Sequence, residues 1–164
     1  MTDVSSTLDG LHRKLGRELL QSERDCRLHT RREAHRQGPG APSEALLAIA
    51  HHADACEPRL VELLAASPLE LGVARAVAHA FSNLRYGFFD RVLAHERTYR
   101  ATLLGVRHDL DLAKLLFSVA DRREMTGMRR FLSEMVPRRA ALLVDAVAAL
   151  EWFADHPLQA AGHS

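Results

Sequence analysis

The stretch "RQGPGAPSE", residues 36–44, decides the fold. Two glycines and two prolines within five residues, Gly38 to Pro42, cannot sit inside a helix. Gly38 suits a left-handed cap at the end of one helix, and Pro39 blocks its continuation. Pro42 and Ser43 suit the start of the next helix. On both sides of this punctuation the apolar residues recur every three or four positions. Before it come Leu8, Leu11, Leu15 and Leu19, with Ser22, Cys26 and His29 extending the same stripe. After it come Leu46, Ile49, Ala53, Leu60 and Leu63. The reading is a helical hairpin, with a first helix from about Ser6 to Gln37 and a second to about Ala66.

The rest of the chain extends this pattern. Pro58 predicts a kink or a break in the second helix, with Asp54 and Glu57 as a capping box for a second helical segment. "SPLE", residues 67–70, predicts a third helix carrying Val73, Val77, Phe81, Leu84, Phe88, Val92, His95, Tyr99 and Leu103, stopped by Gly105. A short fourth helix then starts at Asp109 or Asp111, with Leu112, Leu115, Leu116 and Val119 inward. A fifth is capped by Thr126, carries Met128, Phe131, Met135, Leu142, Ala149 and Phe153, and is kinked by Pro137. "DHP", residues 155–157, ends it. No strand pattern and no internal repeat accompany these segments. The expected fold is all-α, an antiparallel bundle of four long helices plus one short helix. It forms a single domain over residues 1–157, with a frayed tail over 158–164.

Composition agrees with that class. The chain has 164 residues, 47% hydrophobic and 26% charged, and only 5% aromatic, so its core is built from Leu, Val and Ala. Lysine and arginine number 22 against 21 acidic residues, a formal charge of +1, which gives no global attraction to nucleic acid or to an anionic membrane. The cations are arginines apart from Lys14 and Lys114, which with the abundant alanine suggests a GC-rich, bacterial-like coding bias. No run approaches 18 apolar residues, and "MTDVSSTLDG" lacks the basic start and apolar run of a signal peptide. The expected location is the cytoplasm, where Cys26 and Cys56 are thiols, a metal pair or buried apolar groups.

The hairpin gives those cysteines a geometry. Cys26 and His29 lie on one face of the first helix at i and i+3, and His52 and Cys56 on one face of the second at i and i+4. Folded at GPGAP, Cys26 comes level with Cys56 and His29 with His52, roughly 18 Å from the turn at about 1.5 Å per residue. Two thiolates and two imidazoles are a tetrahedral zinc set, and the thiolates also suit Cu(I). The alternatives are plain packing of buried cysteines, or a disulfide or thiol switch between Cys26 and Cys56. His51 points about 100° away from His52 and takes no part. A di-iron carboxylate site is not expected, because no glutamate has a histidine three residues later.

A second polar group lies further on. His95 and Tyr99 share the inward face of the third helix, Glu96 and Arg100 are spaced to pair at i,i+4, and His108 follows. As a functional set these five predict a small-ligand pocket; otherwise they are an intrahelical ion pair beside a buried tyrosine. The arginines Arg24, Arg27, Arg31, Arg32 and Arg36, and the later set Arg122, Arg123, Arg129, Arg130, Arg138 and Arg139, are diluted by acidic neighbours and read as solvated faces, not as a nucleic-acid surface. No nucleophile elbow, phosphate loop or hydrolase triad is present. The reading that asks least of the sequence is a non-catalytic bundle acting through a protein partner or as a homodimer, with a Zn or Cu bundle and a ligand-binding bundle or enzyme as the alternatives.

Overall fold

The computed structural model describes residues 4–66 and 94–162. Residues 67–93 of the expected third helix lie outside the described residues. Four long helices are seen: α1 over Val4–Gln37, α2 over Ala41–Ala65, α3 over His95–Arg122 and α4 over Thr126–Ala148. A 3₁₀ turn, Ala149–Glu151, and two short helices, α5 (Trp152–Asp155) and α6 (Pro157–Ala160), follow α4. No strand occurs among the described residues.

The GPGAP turn closes the hairpin as its residue types require. Gly38 has φ 72° and Gly40 has φ 149°, both in the region that favours glycine. A Cβ on Gly40 would also stand only 3.0 Å from the Trp152 ring, which packs over the turn. Ser43 Oγ donates to the Ala34 carbonyl, tying the start of α2 to the end of α1.

α1 packs on α2 and on α3, and α4 packs on α2 and on α3. Every one of these neighbours is antiparallel. Asp9 and Arg123 meet at one end of the α1–α3 pair, Ser22 and Asp109 at its middle, and Glu33 and Thr98 at the GPGAP end. α2 and α3 therefore run the same way on opposite corners, and Ala66 and Ala94 stand at opposite ends of the bundle.

Three expectations about helix boundaries are corrected. Gly105 does not stop a helix, and the helix starting at Asp109 or Asp111 is not a separate short one. A single helix runs from His95 to Arg122. Leu103, Val106, Leu110, Ala113 and Leu116 form one uninterrupted buried stripe across Gly105, and their burial outweighs the roughly 1 kcal/mol cost of a mid-helix glycine. Asp109 and Asp111 are not caps: their carboxylates engage Ser22 and Lys114. Nor does Pro58 break α2, which is helical through it to Ala65. Asp54 and Glu57 form no capping box there, because both face the arginines of α1. Thr126 is the first residue of α4, with Met125 at the cap position and no side-chain capping bond.

Candidate functional site

The hairpin register is the expected one, and charged pairs along the α1–α2 seam record it. Arg24 meets Glu57 at 2.6 Å, Arg27 reaches Glu57 at 3.0 Å and Asp54 at 3.3 Å, and Arg31 pairs with Asp54. The α1 arginine cluster is thus largely matched to α2 carboxylates. Behind this seam lie Cys26 and Cys56, both buried free thiols.

What stands between them is a fully buried arginine. Arg139, from α4, has no exposed surface and spreads its guanidinium into the centre of the bundle. Nη2 donates to Glu23 Oε2 at 2.7 Å, Nη1 points at Cys26 Sγ at 3.6 Å, and Nε donates to His52 Nδ1 at 3.0 Å. His52 Nδ1 is therefore an acceptor, and the neutral ring carries its proton on Nε2, which lies 3.7 Å from Cys56 Sγ. Cys26, Arg139, His52 and Cys56 form one continuous chain of polar contacts. Arg139 was expected on a solvated face; it is instead the most voluminous fully buried side chain described.

Glu23 and Arg139 belong to diagonally opposite helices, so their ion pair crosses the bundle axis. Ser22 hydrogen-bonds to Asp109 and brings in α3. All four long helices thus contribute to one polar layer, and the core is divided by it. On the GPGAP side lie Leu46, Ile49, Tyr99, Leu103, Leu142 and Phe153. On the other side lie Leu15, Leu19, Leu60, Leu116, Leu132 and Met135.

The electrostatics of the layer follow from burial. Burial pushes the Cys26 thiol up to about 12 and the Cys56 thiol up to about 11, with Arg139 opposing both. Burial, and then the positive charge of Arg139, push His52 down to about 4. Burial raises the Glu23 carboxyl while Arg139 pulls it back. Glu23 Oε1 has no hydrogen-bond partner. Asp109 is pushed up to about 6, first by burial, with the Ser22 hydrogen bond and Arg139 opposing and Glu23 adding to the rise. Burial works against the charge on Arg139 too, but Glu23 and the two thiols outweigh it.

Of the four expected metal ligands, His52 and Cys56 are in contact, and Cys26 lies in the same polar layer with Arg139 between it and His52. His29 is half-buried, and the chain of contacts joining the other three runs through Arg139. The inward stripe of α1 passes through Glu23, Cys26, Thr30 and Ala34 instead of Ser22, Cys26 and His29. The 3.6-residue period carries it one position round the helix over this length. Among the described residues no group of three or more His, Cys, Asp or Glu side chains is arranged to hold a metal ion. A guanidinium already supplies positive charge to the donor atoms.

The residues of the second expected site do not converge. Tyr99 is fully buried, donates to the Ala146 carbonyl at 2.7 Å and packs edge-on against Phe153, with ring centroids 5.5 Å apart. Glu96 and Arg100 form an ion pair at 2.7 Å on the outer surface. His108 is exposed. His95 opens α3, and its carbonyl accepts from Gln37 Nε2 at 2.9 Å. An open groove of about 490 Å³ lies elsewhere, between α3 and α4, bordered by Arg107, Leu110, Asp111, Lys114, Val144 and Val147.

Two residues of the central layer escaped the sequence reading, and a signal for each was present. Arg139 falls between Met135 and Leu142 on the inward stripe of α4, at steps of four and three. Glu23 falls between Leu19 and Cys26 on that of α1. No family model, curated protein or solved structure matches this chain.

Proposed function

We propose that the chain is a non-catalytic helical bundle that works by binding another protein chain. The observation that supports this reading is the α3–α4 face. Leu104 and Val144 are 69% and 67% exposed there, and Leu115 and Val147 are also exposed. Val144 and Val147 border the open groove together with Arg107, Asp111 and Lys114, and Leu104 and Leu115 are exposed on α3. A groove with exposed valines and charges of both signs, beside two further exposed leucines, suits a protein partner. The polar groups that suggested other chemistry are engaged in structural contacts: Tyr99 with Ala146, Arg139 with Glu23 and His52, Glu96 with Arg100.

The partner this face suits is not a nucleic acid, since its charges are of both signs. No helix among the described residues is long and apolar enough to cross a membrane. A Zn or Cu site has one observation in its favour, the placement of Cys26, His52 and Cys56 in one layer, but a metal there would have to displace Arg139.

A photo-crosslinking side chain placed at Leu104 or at Val144 in the full chain, irradiated in cells, tests the reading. Discrete adducts are expected from both positions and not from exposed Arg130 on the same helix as Val144. Equal labelling from all three positions, or none, would overturn it.

A further inference from the structure

The outer face of α3 carries a stripe with the symmetry of an interface. Arg97, Ala101, Leu104, His108, Asp111, Leu115, Ser118 and Arg122 follow one another at steps of four and three, and all but the half-buried Ser118 are exposed. Steps of this period are those along which two helices meet in a coiled coil, and Ala101, Leu104 and Leu115 are the apolar members here. The central part of the stripe, Leu104, His108, Asp111 and Leu115, is spaced 4-3-4, which reads the same in both directions. We infer that this face is a self-complementary docking surface, and that its occupant is a second copy of this chain, packed α3 against α3 and antiparallel about a two-fold axis between His108 and Asp111.

The charge pattern selects that occupant. Turned end for end, the stripe places Leu104 opposite the second copy's Leu115, and Leu115 opposite its Leu104. In the same register His108 faces the second copy's Asp111, and Asp111 faces its His108. An isologous contact requires every pairing to occur twice, and here the two apolar and the two polar pairings both do. Arg107, one turn from Asp111 along α3, adds positive charge beside each acidic residue. The Asp111 carboxylate is exposed and meets Lys114 of its own chain at 3.2 Å through Oδ1. Val144 and Val147, across the groove on α4, extend the apolar area to the side. At the ends of the stripe Arg97 comes level with the second copy's Arg122. There the helices diverge at a crossing angle of about 20°, and the long side chains reach into solvent.

This inference rests on the proposed function and names its partner. Sedimentation equilibrium on the full chain, from about 1 µM to about 500 µM, reads it directly. A reversible monomer–dimer equilibrium is expected. L104E weakens it at least ~10-fold, because a carboxylate replaces a leucine in the seam. H108E weakens it at least ~5-fold by setting carboxylates opposite each other, and D111K weakens it at least ~5-fold by removing the carboxylate that accepts from the second copy's His108. The double variant H108E/D111K recovers to within ~2-fold of the parent, since each pairing then sets a carboxylate opposite an ammonium. Circular dichroism melts confirm that each surface variant is folded. A monomer at every concentration overturns the inference, and so does a double variant as weak as the product of its singles. The Leu104 crosslink separates this failure from that of the proposed function. An adduct of twice the chain mass supports the second copy. An adduct of another mass overturns the dimer and leaves the protein-binding reading standing, and no adduct removes both.

Discussion

Arg139 on α4 donates to Glu23 on α1 across the diagonal of the bundle, at 2.7 Å, with neither side chain reaching solvent. Such a pair contributes little net stability, because desolvating both charges consumes most of their attraction, yet removing one partner strands the other. Arg139→Met is therefore expected to cost roughly 3–5 kcal/mol, since it leaves a buried carboxylate whose Oε1 already lacks a partner. The double variant Glu23→Leu with Arg139→Met is expected to recover most of that loss. Urea unfolding of the two singles and the double gives the cycle; additive losses would show that the two groups act independently.

Asp109 makes the same layer sensitive to pH. Its carboxyl is pushed up to about 6 from an ordinary value near 3.8, chiefly by burial. A folded-state value above the unfolded one means that the native protein holds the proton more tightly. The resulting stability is fully present below about pH 4 and is lost as pH rises through about 6. Asp109→Asn keeps an acceptor for Ser22 and removes the titration. It is expected to match the parent near pH 4 and to exceed it at pH 7.5 by on the order of 1 kcal/mol, since Asp109 is only half-buried. Unfolding free energies of both proteins across that range decide it; parallel curves would place the Asp109 carboxylate in a well-solvated setting.

Tyr99 fastens α3 to the end of α4 through one hydrogen bond to the Ala146 carbonyl, beside the Phe153 ring. Tyr99→Phe keeps the packing and removes the donor. The expected loss is about 1–2 kcal/mol, or a fall of roughly 2–8 °C in Tm for a chain of this size. Differential scanning calorimetry measures it, and an unchanged Tm would mean that the hydroxyl contributes no net stability.

How much of the fold and the central layer was legible in the sequence depended on which interactions carried each feature. The hairpin was legible, because Gly38 and Gly40 need backbone angles other residues avoid and the stripes on either side are strongly periodic. The placement of Cys26, His52 and Cys56 in one layer followed from that turn and helix geometry, but the Arg139 that stands between Cys26 and His52 did not. Gly105 misled because a glycine's local cost was weighed without the buried stripe on both sides of it. His29 misled because a long helix rotates its buried face gradually. Arg139 and Glu23 were missed for a different reason. Arginine and glutamate are charged residues that normally stay in water, and only a partner on another helix can make their burial tolerable. No local pattern announces a partner more than a hundred residues away, although both side chains stood at inward steps of their stripes.

The central layer also fixes how the thiols behave. Both are buried, Cys26 pushed up to about 12 and Cys56 up to about 11, so at pH 8 almost none of either is thiolate, the form that attacks disulfides and binds metals. The guanidinium beside Cys26 does not reverse this, because Glu23 holds it and the protein excludes water around the sulfur. Native protein is therefore expected to react with an aromatic disulfide reagent over hours and not seconds, with Cys56 ahead of Cys26. Denatured protein should release two equivalents at once. Dialysis against micromolar zinc should leave under about a tenth of an equivalent bound, since a metal would have to deprotonate both thiols and expel Arg139 from its pairing with Glu23. Rapid native labelling, or stoichiometric zinc uptake that protects both cysteines, would show instead that Arg139 leaves the centre readily and that Cys26, His52 and Cys56 can close around a metal ion.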